Sequence, residues 1–452
     1  MQSQQHYAII GAGPMGLCTA RQLKQYGIAF TGFELHSDVG GLWDIDNPHS
    51  TMYHTAHLIS SKHMTEFSAF PMRAGVATFP RHDELCAYFK DYAKAFDLYG
   101  HYEFSTKVIH CEPNDQGWAI TTEKNGVQQT RQFKGLLIAN GTLHKPNTVA
   151  LPGKFDGELI HSSHYKSPEQ FKGKRVLIQG CGNSACDIAI DAVHFAKNID
   201  MSVRRGYYFL PKFIMGKPSD TLGGAIKLPR RLKQIIDAFL IRMIMGKPSQ
   251  YGLPDPDYRM YESHPVINSL ILHHLGHGDI YPRKDIVRVE GKTVTFADGE
   301  SREYDMILQA TGYQLDYPFI ARDELNWQGM APSLYLNVFH PEHKNLFMMG
   351  MVEATGLGWQ GRDEQAEMVA LYIAQQQHGS NSAKALAQTV QEKAGQRADG
   401  GYAYLELERM AYYVDKTTYR NAVIAHTNAL KADWPEHQLP KQDAHASLAG
   451  QH

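Results

Sequence analysis

Apolar runs alternate with amphipathic stretches along the 452-residue chain, and twice the alternation takes the same form. The run Tyr7-Ala-Ile-Ile leads into clustered glycines. An amphipathic stretch over residues 18–26 follows, then a second apolar run, 28–33, that ends on Glu34. Short apolar run, glycines, 3.6-residue periodicity and a second apolar run predict strand, tight turn, helix and strand. The pattern restarts at Arg175-Val-Leu-Ile-Gln, passes through Gly180 and Gly182 into a helical stretch, and reaches a strand at 199–203 that ends on Arg204-Arg205.

Between and after these repeats the pattern predicts a helix over 81–98 with Asp83 as its cap. Strands are expected at 106–111, 118–122 and 130–133, the last two joined by Asn125-Gly126, a two-residue hairpin signal. Two further buried strands, 136–140 and 304–310, each end at a glycine (Gly141, Gly312) and mirror one another, as strands that pass the chain between domains. An amphipathic insertion occupies 221–248. Residues 345–350, the glycines around 356–361 and the stretch from Gln365 read as strand, loop and helix; 382–397 is a further helix. The fold class is α/β: two Rossmann-like dinucleotide-binding domains, the second inserted in the first. The expected boundaries are 1–160 and 313–432 for the outer domain, 161–312 for the inserted one, and 433–452 for a polar tail.

The glycines carry the chemistry. In Gly11-Ala-Gly13-Pro14-Met15-Gly16 the first permits a sharp turn, the second lets a pyrophosphate approach the backbone, and the third lets helix and strand pack closely. The helix N-terminus then offers N–H groups and partial positive charge to phosphate. Glu34 lies 23 residues after Gly11, where a carboxylate meets a ribose hydroxyl. In the second copy, Gly180-Cys-Gly182-Asn183-Ser184-Ala185, alanine takes the third position and Arg204 lies 24 residues on. A carboxylate suits a ribose 2′-OH and arginine a 2′-phosphate. The first site therefore suits FAD or NAD and the second NADPH.

Net charge is −2, from 45 basic and 47 acidic residues, so no global field would draw nucleic acid. The polar N-terminus enters the first strand directly, with no secretory signal. No apolar run is long enough to span a bilayer. The nearest, 234–245, follows the basic cluster Arg230-Arg-Leu-Lys233. Such a helix either lies on a membrane surface or buries its apolar face in the protein, and the second is the expectation. Five cysteines without a CxxC pair read as a reduced, cytoplasmic chain. The histidines around 49–82 show no H-x₃-H with a carboxylate, so no metal is expected.

The segment Phe155-x-Gly157-x₃-His161-x₃-Tyr165, between the two fingerprints, resembles the signature of the flavin-containing monooxygenases. Gly40-Gly41-Leu42-Trp43, Lys62-x-Met64 with Phe70-Pro71, and Ala310-Thr311-Gly312-Tyr313 are similar to other motifs of that family, in order over about residues 5–370. The related Baeyer–Villiger enzymes usually have tryptophan where Tyr165 stands. The resemblance implies FAD held by Gly11, Gly13, Pro14, Met15, Gly16, Glu34, Gly41, Leu42, Trp43, Val108 and Gln365. It implies NADPH, and NADP⁺ after hydride transfer, held by Gly180, Gly182, Asn183, Ser184, Asp187, Arg204 and Arg205. His161 would set how the nicotinamide meets the flavin.

The implied reaction is NADPH- and O₂-dependent insertion of one oxygen atom into an amine nitrogen or sulfide sulfur of a small molecule, through a C4a-hydroperoxyflavin. Ketone oxidation and an NADPH oxidase or redox sensor are the alternatives, and a homo-oligomer is left open. One departure stands out. The family usually has an asparagine three residues before the lysine matched by Lys62; here that position is Ile59, and Ser60 or Ser61 is the candidate replacement.

Overall fold

The computed structural model describes residues 6–222 and 228–434. Residues up to Ser50, Lys62–His144 and the chain from Leu315 form one compact unit; Thr51–Ser61 and Lys145–Gln314 form the other.

The first unit is built on a five-stranded sheet in the order Leu346–Met348, Gly135–Ile138, Tyr7–Ile10, Phe30–Phe33, Tyr102–Glu103. Every pair is parallel, with Tyr7 opposite both Phe30 and Gly135. Tyr7–Ile10 and Gly135–Ile138 are buried at every position, which is why they read as unbroken apolar runs rather than alternating ones. Helices Pro14–Gln25 and Gly358–Gln377 are joined through a buried ion pair: Arg21 Nη1 meets both Asp363 oxygens at 3.2 Å, and Gln22 donates to the same carboxylate at 2.9 Å. An antiparallel meander, Lys107–Asn114, Gly117–Lys124 and Val127–Phe133, turns at Asn125 (φ 53°) and Gly126 (φ 77°), the left-handed pair the hairpin signal requires.

The second unit has its own parallel sheet, ordered Glu158–His161, Met306–Gln309, Arg175–Gln179, Asn198–Ser202, Ile280–Arg283. A smaller sheet, Ser301–Glu303, Thr293–Phe296, Ile286–Gly291, Gly153–Phe155, accompanies it.

The inserted unit opens at Lys145 rather than at 161, because Gly153–Phe155 and Glu158–His161 are already strands of its sheets. Its entering strand Lys145–Pro146 pairs antiparallel with its leaving strand Tyr313–Gln314. It also takes Thr51–Ser61 from within the first half of the chain, which the sequence pattern did not indicate. The His82–Ala95 helix is capped by Glu84, which accepts from the Arg81 N–H at 3.1 Å, while Asp83 pairs with the Arg81 side chain instead. The helix expected over 382–397 runs Asn381–Glu392, and Lys416–Ala432, capped by Asp415, is an additional one. In the insertion the helix is Arg230–Met245, and its only buried residue is Gln234; the expected buried apolar face is not there. Of the polar tail, only Asp433 and Trp434 fall among the described residues.

Candidate cofactor-binding sites

The first glycine turn is a tight main-chain assembly. Gly11 has φ 104°, and a Cβ there would lie 2.6 Å from the Ala139 carbonyl oxygen. At Gly16 a Cβ would fall 1.9 Å from the Gly11 carbonyl oxygen. Gly41 brings a second glycine loop so close that its own Cβ would sit 2.9 Å from Gly13 Cα. No side chain caps the Pro14–Gln25 helix and its first turn holds no acid, which leaves its positive end open to a phosphate. Pro14, at its first position, has no N–H to leave unpaired.

Glu34 is buried at the end of its strand. Oε2 accepts from the Ala12 N–H at 2.6 Å and Oε1 from the His36 N–H at 2.8 Å. Burial raises its pKa and these two donors pull it back. Each oxygen keeps acceptor capacity for a ribose hydroxyl. The glycine cradle, the open helix end and the fixed carboxylate together fit the adenine-nucleotide part of FAD.

The remaining residues expected at FAD divide into two groups. Leu42 and Trp43 lie half-buried in the single turn Gly41–Trp43, and Trp43 meets Trp359 edge-on at 6.2 Å. Met15 is buried against Gly350, where a Cβ would come 2.7 Å from Met15 Cγ. Gln365, by contrast, is wholly buried: it accepts from the Gly350 N–H at 2.9 Å and donates to Tyr419 Oη at 2.5 Å. It braces the Gly350 turn rather than reaching a ligand. Val108 places its side chain in the core beside a strand irregularity, so any cofactor contact there falls to its main chain.

The second turn repeats the geometry with looser packing. Gly180 has φ 126°, and a Cβ would lie 2.5 Å from the Ala310 carbonyl oxygen, the counterpart of Ala139. Gly182 has open space where its Cβ would stand. Helix Asn183–Ala192 again begins without a side-chain cap or a first-turn acid. Arg204 is exposed just past Asn198–Ser202, and Arg205 Nε meets Asp257 Oδ1 at 3.3 Å in a largely exposed pair, a weak tie that a phosphate would displace. This donor set fits a nucleotide with a 2′-phosphate.

Two of the polar residues expected at NADPH are committed elsewhere. Asn183 accepts from the Ile267 N–H at 2.8 Å. Asp187 accepts from Asn268 Nδ2 at 2.7 Å and from Tyr53 Oη at 3.3 Å, and burial raises its pKa. They fix the loop after Pro265 and the segment Thr51–Ser61, and leave half-buried Ser184 as the free polar side chain of the first turn.

The motif between the fingerprints is also built into the second unit. Gly157 has no room for a Cβ: one would meet the Phe155 ring at 2.5 Å and the Asp305 carbonyl oxygen at 2.7 Å. Buried His161 accepts from the Ser163 N–H through Nδ1 at 3.1 Å and meets Tyr313 edge-on at 5.4 Å; burial lowers its pKa, so it is a neutral ring. Tyr165 is wholly buried, stacked on Phe171 at 5.1 Å, and donates to Asp191 Oδ2 at 3.0 Å. Asp191 also receives the Thr55 hydroxyl. Ser61 is buried with its N–H on Asp220 at 2.6 Å, and Ser60 is half-buried. Neither Asp191, Thr55, Tyr53 nor Asn268 carried a sequence signal, since each acts through a contact distant in sequence.

A family model described as flavin-binding monooxygenase-like matches residues 4–430. The chain belongs to that family. Dimethylaniline monooxygenase [N-oxide-forming] 2 of Oryctolagus cuniculus is 30% identical over 374 residues, 77% of this chain and 69% of that protein. Among solved structures, the S-allyl-L-cysteine S-oxygenase of Allium sativum aligns with a TM-score of 0.61 at 19% identity, covering 98% of this chain and 97% of that one. OTEMO in complex with FAD and NADP aligns with a TM-score of 0.69 at 18% identity, covering 95% and 99%. As a member of the flavin-containing monooxygenases the chain is an NADPH-dependent oxidoreductase whose cofactors are FAD and NADPH.

In this family setting Lys62-x-Met64 has a clear role within the first unit. Buried Lys62 donates to the carbonyls of Arg73, Ala74 and Val76 at 3.3, 3.2 and 2.6 Å, closing that loop. The Met64 carbonyl lies where a Cβ on Gly358 would come within 2.4 Å, so the long helix Gly358–Gln377 starts directly against this turn. Phe70 of the same motif packs on Tyr88, Tyr92 and Phe96.

Proposed function

We propose that the enzyme oxygenates an amine nitrogen or a sulfide sulfur of a small molecule. One atom of O₂ goes to the substrate and the other to water, with NADPH and a proton as the source of the two hydrogens. The observation that carries this choice over ketone oxidation is Tyr165. Its ring is enclosed by Tyr53 and Phe171 and its hydroxyl is spent on Asp191, so this position is built for tyrosine and not for tryptophan. The N-oxide-forming and S-oxygenase activities in the names of two similar proteins support the same reading.

FAD when bound supplies oxygen activation, and NADPH the hydride. The chain's own residues do the rest. Gly11, Gly13 and Gly16 admit the pyrophosphate to main-chain N–H groups. Glu34 fixes the ribose, and Arg204 and Arg205 hold the 2′-phosphate. Tyr165, Asp191 and Thr55 hold the segment that carries Ser60, whose hydroxyl is the donor in place of the missing asparagine. Five free thiols support a reducing, cytoplasmic setting.

The test is NADPH consumption by the holoenzyme with amines, sulfides and ketones, each product weighed. Coupled consumption with products heavier by one oxygen for amines or sulfides is expected. NADPH oxidation that is indifferent to substrate and yields stoichiometric H₂O₂ refutes the proposal, as would turnover confined to ketones.

A further inference from the structure

A loop far along the chain brings an acid to the arginines that close the second glycine turn. Arg205 Nε lies 3.3 Å from Asp257 Oδ1. An exposed ion pair is by itself an ordinary surface feature. What sets this one apart is how firmly the main chain around Asp257 is held. A Cβ on Gly206, the residue after Arg205, would fall 2.3 Å from the Asp255 carbonyl carbon and 2.4 Å from the Pro254 carbonyl oxygen. Main chain lies directly on main chain here, an approach that only glycine permits. The Asp255 carboxylate is spent within its own loop, accepting from the Ser249 N–H at 3.0 Å and from the Ser249 hydroxyl at 2.9 Å. Before it, Leu253 is buried in the core of the second unit. After it, the carbonyl of buried Tyr258 accepts the Tyr208 hydroxyl at 3.1 Å, and the two rings meet edge-on at 5.7 Å. Asp257 is therefore fixed beside Arg205 from both sides.

This placement runs against the charge that the arginines are suited to receive. A 2′-phosphate carries about two negative charges at neutral pH. Arg204 and Arg205 offer a positive charge each, and Asp257 offsets one of them before the nucleotide arrives. To engage the phosphate, Arg205 has to give up Asp257, and the pinned loop cannot carry the carboxylate off to another partner. A nucleotide with a plain 2′-hydroxyl brings no charge to that corner and needs no such exchange. The acid thus acts against one class of nucleotide and is indifferent to the other, which is how a repulsive element sets specificity.

We infer that Asp257 is a specificity-determining residue of the nucleotide site: a fixed counter-charge on Arg205 that weakens the grip on a 2′-phosphate and narrows the preference for NADP⁺ over NAD⁺. The inference rests on the assignment of Arg204 and Arg205 to that phosphate. The test is calorimetric titration of the full-length holoenzyme with NADP⁺, NAD⁺ and adenosine 2′,5′-bisphosphate. Asp257→Asn should tighten NADP⁺ and the bisphosphate roughly fivefold and leave NAD⁺ within about twofold of the parent. The gain should shrink as salt rises. Asp257→Glu keeps the charge and should bind as the parent does. In an Arg205→Ala background the Asp257→Asn gain should largely disappear, since the acid acts through that guanidinium. Thermal midpoint and flavin content should hold in each variant, because the pair is exposed. Unchanged NADP⁺ affinity in Asp257→Asn overturns the inference, as does equal tightening of NADP⁺ and NAD⁺, or a gain undiminished without Arg205. Arg204→Ala with Arg205→Ala separates the two readings. Loss of NADP⁺ affinity there, with no gain at Asp257→Asn, refutes this inference and spares the phosphate site; no loss there refutes both.

Discussion

The two glycine turns follow one plan, yet they are finished differently. In the first, main chain meets main chain at Gly11, Gly13, Gly16 and Gly41, and the closing carboxylate of Glu34 is buried and held by two N–H groups. In the second, space remains at Gly182, alanine fills the third position, and the closing charges of Arg204 and Arg205 stand in solvent. A buried, prearranged acid suits a cofactor that is bound once and kept. Exposed guanidinium groups, whose pairing with water or Asp257 is weak, suit one that enters and leaves.

That contrast breaks first at the third glycine. Gly16→Ala forces a Cβ to within 1.9 Å of the Gly11 carbonyl oxygen, and main chain cannot yield as a flexible side chain can. A loss of at least about 3 kcal/mol and of flavin is expected, measured by urea midpoint and the visible absorbance of the purified protein. Gly182→Ala, with open space, should stay within about 1 kcal/mol of the parent and keep its flavin. Equal effects at the two positions would erase the distinction between them.

Next in size is the charge contrast. Arg204→Ala with Arg205→Ala should raise KM for NADPH roughly tenfold to a hundredfold and leave KM for NADH and the unfolding midpoint nearly unchanged, since charged contacts are lost only where a 2′-phosphate is present. A parallel rise for both nucleotides would remove these residues from the phosphate site.

The smallest effect sharpens the comparison between the units themselves. His340, in the first unit, is buried and accepts two N–H groups, from Glu342 and His343, through Nδ1. Burial lowers its pKa to about 4. The unfolded chain takes up this proton near 6.5 and the folded chain does not, so the stability it contributes is complete above pH 6.5 and is lost as pH falls towards 4. His340→Asn, whose amide oxygen can accept the same N–H groups, should flatten that part of the stability profile by about 1–2 kcal/mol. An unchanged profile would show that the ring titrates normally.

The contrast between the turns was largely legible in the order of residues. Short apolar runs, glycine spacing and the residue that ends each second strand depend on contacts within about thirty positions, and local chemistry decides them. The FxGxxxHxxxY motif was legible in the same way, but what its tyrosine does was not. Tyr165 reads as a site residue and is a buried post; Gln365, Asn183 and Asp187 read as ligand contacts and are braces. Each is defined by a partner far along the chain.

The sequence by itself determined the α/β class and the two glycine turns, one followed by a carboxylate and the other by arginines, because backbone sterics and the sign of a charge are local properties. Only the tertiary structure decided that Thr51–Ser61 belongs to the second unit, that Asp191 is the post to which Tyr165 and Thr55 are tied, and that Arg230–Met245 shows its apolar side to the outside. An amphipathic pattern says that a helix has two faces; which of them is covered depends on what the rest of the fold brings beside it.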